Sequence, residues 1–458
     1  MKLKHLSQDE KVQYLTTAPI PKLIWQMSIP TIISMLVTSF YNMADTMFVG
    51  QLDTQSTAAV GVSFSVMSLI QATGFFFGHG SGNYISRKLG AREYQDAERM
   101  AATGFFSSLI AGIVICLIGL LFLAPISRFL GSTETILPYT IRYLRIIFLG
   151  TPFIMGSFVL NNQMRFQGSA SVAMIGIVSG AILNIGLDPL LIFVFDMGIS
   201  GAALATVISQ IASFCILLYL NRRRAAIRVS LKNFTPSVFY YQNIFKGGVP
   251  SLCRQGIGSF ATIFLNTAAG NYGGAMADAA IAAMGVVTRI TMFVNSALIG
   301  FGQGFQPVCG TNYGAGRYTR VREAFYFCVK LGTITLFVLS MCGCIFAEPL
   351  IRLFRNDPDV IQIGVLALRL QCSIFWLNAW TILCNMMLQT IGMAAQASIV
   401  ASARQGLFFI PLILILPLFL GLFGVQIAQM LADILSFLLA LPMALRVLKT
   451  FQNDRTDA

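Results

Sequence analysis

The chain has 458 residues, of which 56% are hydrophobic and 11% charged, with a formal net charge of +13 and a mean hydropathy of +0.74. That balance excludes an ordinary soluble domain, which needs more polar surface, and describes an integral membrane protein. The nine cysteines lie in or beside apolar runs without a CxxC pair, which excludes a disulfide framework or a cysteine metal site.

In chain order, residues 1–22 form a polar tail of mixed charge with no signal peptide, and the first apolar run continues into a full span. Apolar length predicts twelve spans, near 23–50, 57–86, 100–124, 138–164, 169–195, 201–220, 248–271, 278–308, 323–347, 360–389, 394–420 and 423–447. The fold class read from this pattern is an all-α integral membrane protein. A first lobe of six spans covers 23–220, a polar linker 221–247, a second lobe of six spans 248–450, and a tail 451–458. Basic residues set the orientation. Arg87, Lys88, Arg92 and Arg99, the run Arg222, Arg223, Arg224, Arg228, Lys232 and Lys246, and Arg317, Arg320 and Arg322 fall on the side of the N-terminus, whereas the opposite loops hold only Arg128, Arg352 and Arg355. Both termini are therefore expected in the cytoplasm of a multi-pass plasma (inner) membrane protein. The positive charge is a topology signal, and its spread over short loops argues against a nucleic-acid partner.

A repeat organises the two lobes. At a constant offset of 224 residues, Gly61-Val62 matches Gly285-Val286, Gly90-Ala91 matches Gly314-Ala315, and Pro125, Arg128, Arg145, Asn161 and Gly168 match Pro349, Arg352, Arg369, Asn385 and Gly392. Six spans is an even number, so both copies insert the same way and are related by a pseudo-two-fold along the membrane normal. Two such bundles joined by a linker suit a rocking, alternating-access transporter acting as a monomer.

The fifth span holds the costliest residue. Gly176, Gly180, Asn184 and Asp188 recur every fourth position and share one helix face, with Pro189 following at once. A carboxylate inside the bilayer costs roughly 2.5–3.5 kcal/mol even on lenient scales, so Asp188 faces protein or water and is read as functional. At 1.5 Å rise per residue, Asp45, Asp188 and Thr206 fall in one layer about 10 Å below the outer surface, with Tyr41 and Asn184 one turn deeper. Such oxygens suit a proton or a hard cation, and two nearby acids in low dielectric favour holding a proton near neutral pH. Pro30 removes one backbone hydrogen bond from the first span and is read as a hinge for the half carrying Asp45.

The stretch from Gly78-His79-Gly80 to Leu89-Gly90-Ala91, and its partner from Gly302-Gln303-Gly304-Phe305-Gln306-Pro307 to Asn312-Tyr313-Gly314-Ala315, resemble the paired inner-loop signatures of the multidrug and toxic compound extrusion (MATE) transporters. The resemblance runs over roughly residues 20–450 and points to the MepA/DinF-like branch. It implies a cation-coupled antiporter, driven by protons or sodium, that exports amphipathic, often cationic organic compounds. It further implies that Tyr41, Asp45, Asn184, Asp188 and Thr206 form the proton or sodium site. Asn161 joins that set on the resemblance alone, since its span places it nearer the inner face, and Pro30 matches a family proline that bends the first helix.

The second lobe lacks these acids: Ala269 stands at the counterpart of Asp45 and Leu412 at that of Asp188. Its lone deep acid, Asp433, is expected to pair with Arg404 as a structural ion pair. Arg254 is expected to snorkel and Arg289 to line the cavity; His79 reads as a packing or hydrogen-bonding residue. No Walker sequence, cofactor motif or structural metal cluster appears, and two peripheral histidines do not make an enzyme. The alternative reading, a lipid-linked saccharide flippase of the same superfamily, calls for extra spans and a strongly basic cavity.

Overall fold

The computed structural model of the chain describes residues 8–453, so Lys2, Lys4, His5 and Arg455 lie outside the described residues. The first lobe runs from α1 (Gln8–Thr17) and α2 (Ile20–Val49) through α3 (Thr54–Gly90), α4 (Tyr94–Leu121), α5 (Leu123–Phe129), α6 (Leu137–Phe166) and α7 (Ala170–Pro189) to α8 (Gly198–Arg224). The second comprises α9 (Val238–Tyr272), α10 (Ala277–Gly314), α11 (Tyr318–Ile345), α12 (Ala347–Phe354), α13 (Pro358–Ile374), α14 (Asn378–Ile391), α15 (Ala394–Ser402), α16 (Phe409–Leu420) and α17 (Leu422–Asn453). No strand occurs among the described residues.

Hydrocarbon offers backbone groups no partner, so long apolar segments satisfy their own N–H and C=O groups as helices. Among the described residues, eleven helical stretches are long and apolar enough to cross a bilayer. The more polar α9, 35 residues long, is the twelfth by its place in the repeat. Along α4 the side chains of Ile110, Val114, Leu117 and Leu121 all stand exposed on one face, a stripe that only lipid can cover favourably. The chain is thus a multi-pass membrane protein of two six-helix lobes.

The repeat holds at the level of single residues. Tyr94 and Tyr318 open α4 and α11, Leu121 and Ile345 close them, and a short helix, α5 or α12, follows each. Gly168 and Gly392, with φ of +76° and +94°, end α6 and α14 in the left-handed region that favours glycine. Across these two turns Asn161 Nδ2 donates to Ala173 O (3.0 Å) and Asn385 Nδ2 to Ala397 O (2.6 Å), the same bond twice.

The structure departs from the sequence reading in its breaks. The helix α9 starts at Val238, ahead of the expected 248, because its amphipathic first turns pack under α3. A 3₁₀ turn at Phe375–Leu377 divides the tenth span, and π-helical segments occupy Leu190–Val194 and Ala403–Leu407. Such segments frequently accompany functional sites.

Leu15 of α1 and Phe451 of α17 share one core cluster, so both described ends lie on one face, termed the terminal face, opposite the far face. The lobes are bolted together on the terminal side. Any side chain larger than hydrogen at Gly90 would strike Thr311 O, and at Gly314 the carbonyl of Arg87, so α3 and α10 meet backbone to backbone. Buried Arg165 of the first lobe donates to Gln303 O (2.6 Å) and Gln306 Oε1 (3.2 Å) of the second. Arg87 donates to Thr390 O (2.5 Å), and His79 shares a 2.7 Å hydrogen bond with Ser251, which confirms the structural reading of that histidine. The helix α1 straps the same closure: Lys11 donates to Ser169 Oγ and Arg224 O in the first lobe, while Asn312, Arg317 and Arg320 of the second donate to Leu15 O, Thr16 O and Ala18 O. Burial without an acid partner holds the Lys11 ammonium below the usual lysine range.

Candidate functional site

The helices α2, α7 and α8 bring the predicted residues into the far half of the first lobe. α7 can approach α8 because Gly176 and Gly180 leave no room for more: a methyl at Gly176 would run into Leu217, and one at Gly180 would press on Ser213 and Ser209 O. That contact turns the Asn184–Asp188 face inward, and both side chains are buried, Asp188 at 0% exposure. Asn184 Nδ2 donates to Asp188 Oδ1 (3.3 Å). Pro189 then removes the N–H that would bond Ile185 O, and the chain passes into the π-helical turn at Leu190–Val194.

Asp45 on α2 and Asp188 on α7 lie in each other's electrostatic field, and Tyr41 feels both. Tyr41, Asn184 and Thr206 line a cleft together with Thr38, Ser209 and Gln210. Four oxygens here, Asp45 Oδ1, Asp188 Oδ2, Asn184 Oδ1 and Ser209 Oγ, are buried without a hydrogen-bond partner among the described residues. A buried acceptor left alone costs about 1–3 kcal/mol, and the shared remedy for this set is a proton or a small hard cation. Neither Arg142 nor Arg145 neutralises Asp188; both side chains are exposed, and no ion pair to Asp188 occurs among the described residues.

Of the predicted set the structure brings together Tyr41, Asp45, Asn184, Asp188 and Thr206. Asn161 stands elsewhere, its amide committed to Ala173 O near the terminal side. Sequence reasoning missed Ser209, Gln210 and Tyr143. Tyr143 on α6 is buried within the field of both acids and donates to Met67 Sδ (3.3 Å). Ser209 and Gln210 follow Thr206 by one turn on α8, a spacing that could have found them, whereas Tyr143 carries no such sign.

Pro30 lies inside α2 between two anchors to the second lobe. Ser28 Oγ donates to Phe301 O (3.1 Å) and Thr31 Oγ1 to Gly300 O (2.6 Å), while the half beyond Pro30 carries Tyr41 and Asp45. In the second lobe Asp433 receives Arg404 as expected, Nε to Oδ1 at 2.7 Å. Arg254, expected to snorkel, instead turns inward and donates to Asn385 Oδ1 (3.2 Å), because the carboxamide offers an acceptor that lipid does not. Arg289 is exposed.

The MatE family model matches residues 30–190 and 250–415, one segment in each lobe. The chain belongs to the MatE family. It is 30% identical to the Multidrug export protein MepA of Staphylococcus haemolyticus (strain JCSC1435) over 436 residues, covering 95% of each chain, and 30% identical over 439 residues to the protein of that name from Staphylococcus aureus (strain MSSA476), again covering 95% of each. Among solved structures it superimposes with a TM-score of 0.91 and 27% identity on a multidrug resistance MATE family transporter of the MOP superfamily in its outward-facing conformation, over 97% of this chain and 99% of that one. Membership of the MatE family, whose matched relatives are transporters, and the two-lobe fold therefore stand together.

Proposed function

We propose that this chain is a secondary active exporter of amphipathic organic compounds, many of them cationic, exchanged for a proton or a sodium ion. The observation that carries the reading is the group of unpartnered buried oxygens around Asp45 and Asp188 in the first lobe. The relatives named as multidrug export proteins support the substrate class.

In this reading the terminal face is cytoplasmic, in accord with the basic residues gathered there, and the far face is external. The bolted terminal side and the likeness to an outward-facing relative correspond to the state that receives the ion from outside. Asp188 and Asp45 take the positive charge, and Asn184, Tyr41 and Thr206 supply neutral oxygens around it. Neutralising two acids that repel each other lets α2 and α7 draw together. Because α2 is anchored at Ser28 and Thr31, the drawing-in is absorbed at Pro30, whose missing N–H softens the helix there. The narrowing first lobe expels the organic substrate outward; opening of the terminal side then delivers the ion inward. One chain supplies both lobes and the closure between them, so the monomer suffices.

The test is ethidium efflux from vesicles of known sidedness under an imposed proton gradient or an imposed sodium gradient. One gradient should drive efflux through the wild type and neither through Asp188→Asn. Efflux by Asp188→Asn at the wild-type rate, with equal protein in the membrane, would refute the assignment.

A further inference from the structure

The second lobe contains a cleft at the position where the repeat places the first lobe's chamber. Thr38 and Thr262, Tyr41 and Leu265, Gly180 and Arg404, and Ala181 and Gln405 are counterparts in the 224-residue register, and each member of these pairs lines its own chamber. Leu265, Met284, Val287, Met292 and Phe409 form pliable apolar walls.

The polar groups differ in kind from those of the first lobe. Asp433 is fully engaged: it accepts from Arg404 Nε (2.7 Å) and Nη2 (3.4 Å), from Gln429 Nε2 (2.8 Å) and from Asn378 Nδ2 (3.0 Å). A cation entering here finds no free anion and would shed its hydration without return. By contrast Arg404 Nη1 has no partner among the described residues, nor has the side chain of Gln371, which is 7% exposed. Asn295 Oδ1 is buried and equally unpartnered. The chamber thus offers a fixed guanidinium edge, amide donors and one amide acceptor, with no net charge. The π-helical turn at Ala403–Leu407 is what aims Arg404 into it.

We infer that this chamber is a second binding site, taking uncharged amphipathic molecules that carry a carbonyl or amide acceptor, which seats against Arg404, Gln371 and Gln405. It needs no ion gradient, so it stands apart from the coupling reading above.

The experiment measures equilibrium binding to the full chain in lipid nanodiscs without any gradient. The probes are tritiated chloramphenicol, which is uncharged and amide-bearing, and ethidium, which is cationic. The wild type should bind chloramphenicol saturably. Asn295→Leu/Gln405→Leu, which fills the chamber and touches neither ion-paired side chain, should raise the chloramphenicol Kd about tenfold or more while ethidium stays within about twofold. Arg404→Gln, which frees Asp433, should add a second ethidium site. Absence of saturable chloramphenicol binding to the wild type, or wild-type affinity in the double variant, would overturn the inference. So would loss of both probes together.

Discussion

The two lobes are built to one register and put to different chemical use. Helix ends, the glycine turns at Gly168 and Gly392, and the amide ties from Asn161 and Asn385 coincide at 224 residues, whereas the far-half chambers share positions but little polarity. In the first, Asp45 and Asp188 face unpartnered oxygens. In the second, Arg404 fills the place of Gly180, and Asp433, which stands at the counterpart of Ser209, holds it. The second lobe carries its cation covalently, as a side chain; the first has none. The frame is shared, and in the proposed reading a handful of differing residues set which half answers to an ion.

The sharpest way to break that contrast is Asp188→Asn, which should reduce gradient-driven ethidium efflux to the level of membranes lacking the transporter, at unchanged abundance on immunoblot. Next in size, Arg404→Leu leaves Asp433 buried without its counter-charge and should destabilise the protein by about 3–5 kcal/mol. Thermal unfolding in detergent reads the loss, and Arg404→Leu/Asp433→Leu should recover most of it; a harmless single variant would mean the pair is not a fixture. Arg165→Gln copies into the first lobe the residue found at its counterpart, Gln389. Losing charged donors to Gln303 O and Gln306 should weaken the terminal closure by about 2 kcal/mol. The rate of maleimide labelling at native Cys309, fully buried beside that closure and resolved by peptide mass spectrometry, should rise accordingly. The smallest effects belong to Asn161→Ala and Asn385→Ala. Asn161→Ala should cost about 1 kcal/mol and Asn385→Ala somewhat more, because it also strips Arg254 of its acceptor, with ion dependence of efflux unchanged in both; a selective effect of Asn161→Ala on that dependence would restore it to the coupling set.

Much of this was legible beforehand for a physical reason. In hydrocarbon, apolar length dictates helix, and depth follows from rise per residue, which is how Asp45, Asp188 and Thr206 could be put in one layer. The Arg404–Asp433 pair was readable because a lone deep acid lowers its cost by meeting a deep base. The breaks were not readable, since Leu190–Val194 and Phe375–Leu377 are as apolar as the helices around them. Nor were the bolts: Arg165 reaches Gln303 O and Arg87 reaches Thr390 O, and a carbonyl leaves no mark in a sequence. Tyr143 escaped notice because a tyrosine in an apolar span is ordinary until its neighbours are known.

The same absence of a mark governs the strap at α1. Its three grips from the second lobe end on the main-chain oxygens of Leu15, Thr16 and Ala18. Those three grips therefore do not depend on which side chains stand at Thr16 and Ala18, and the side chains that make them are Asn312, Arg317 and Arg320, some three hundred positions downstream. A survey of variation at Thr16 and Ala18 alone would overlook the clasp.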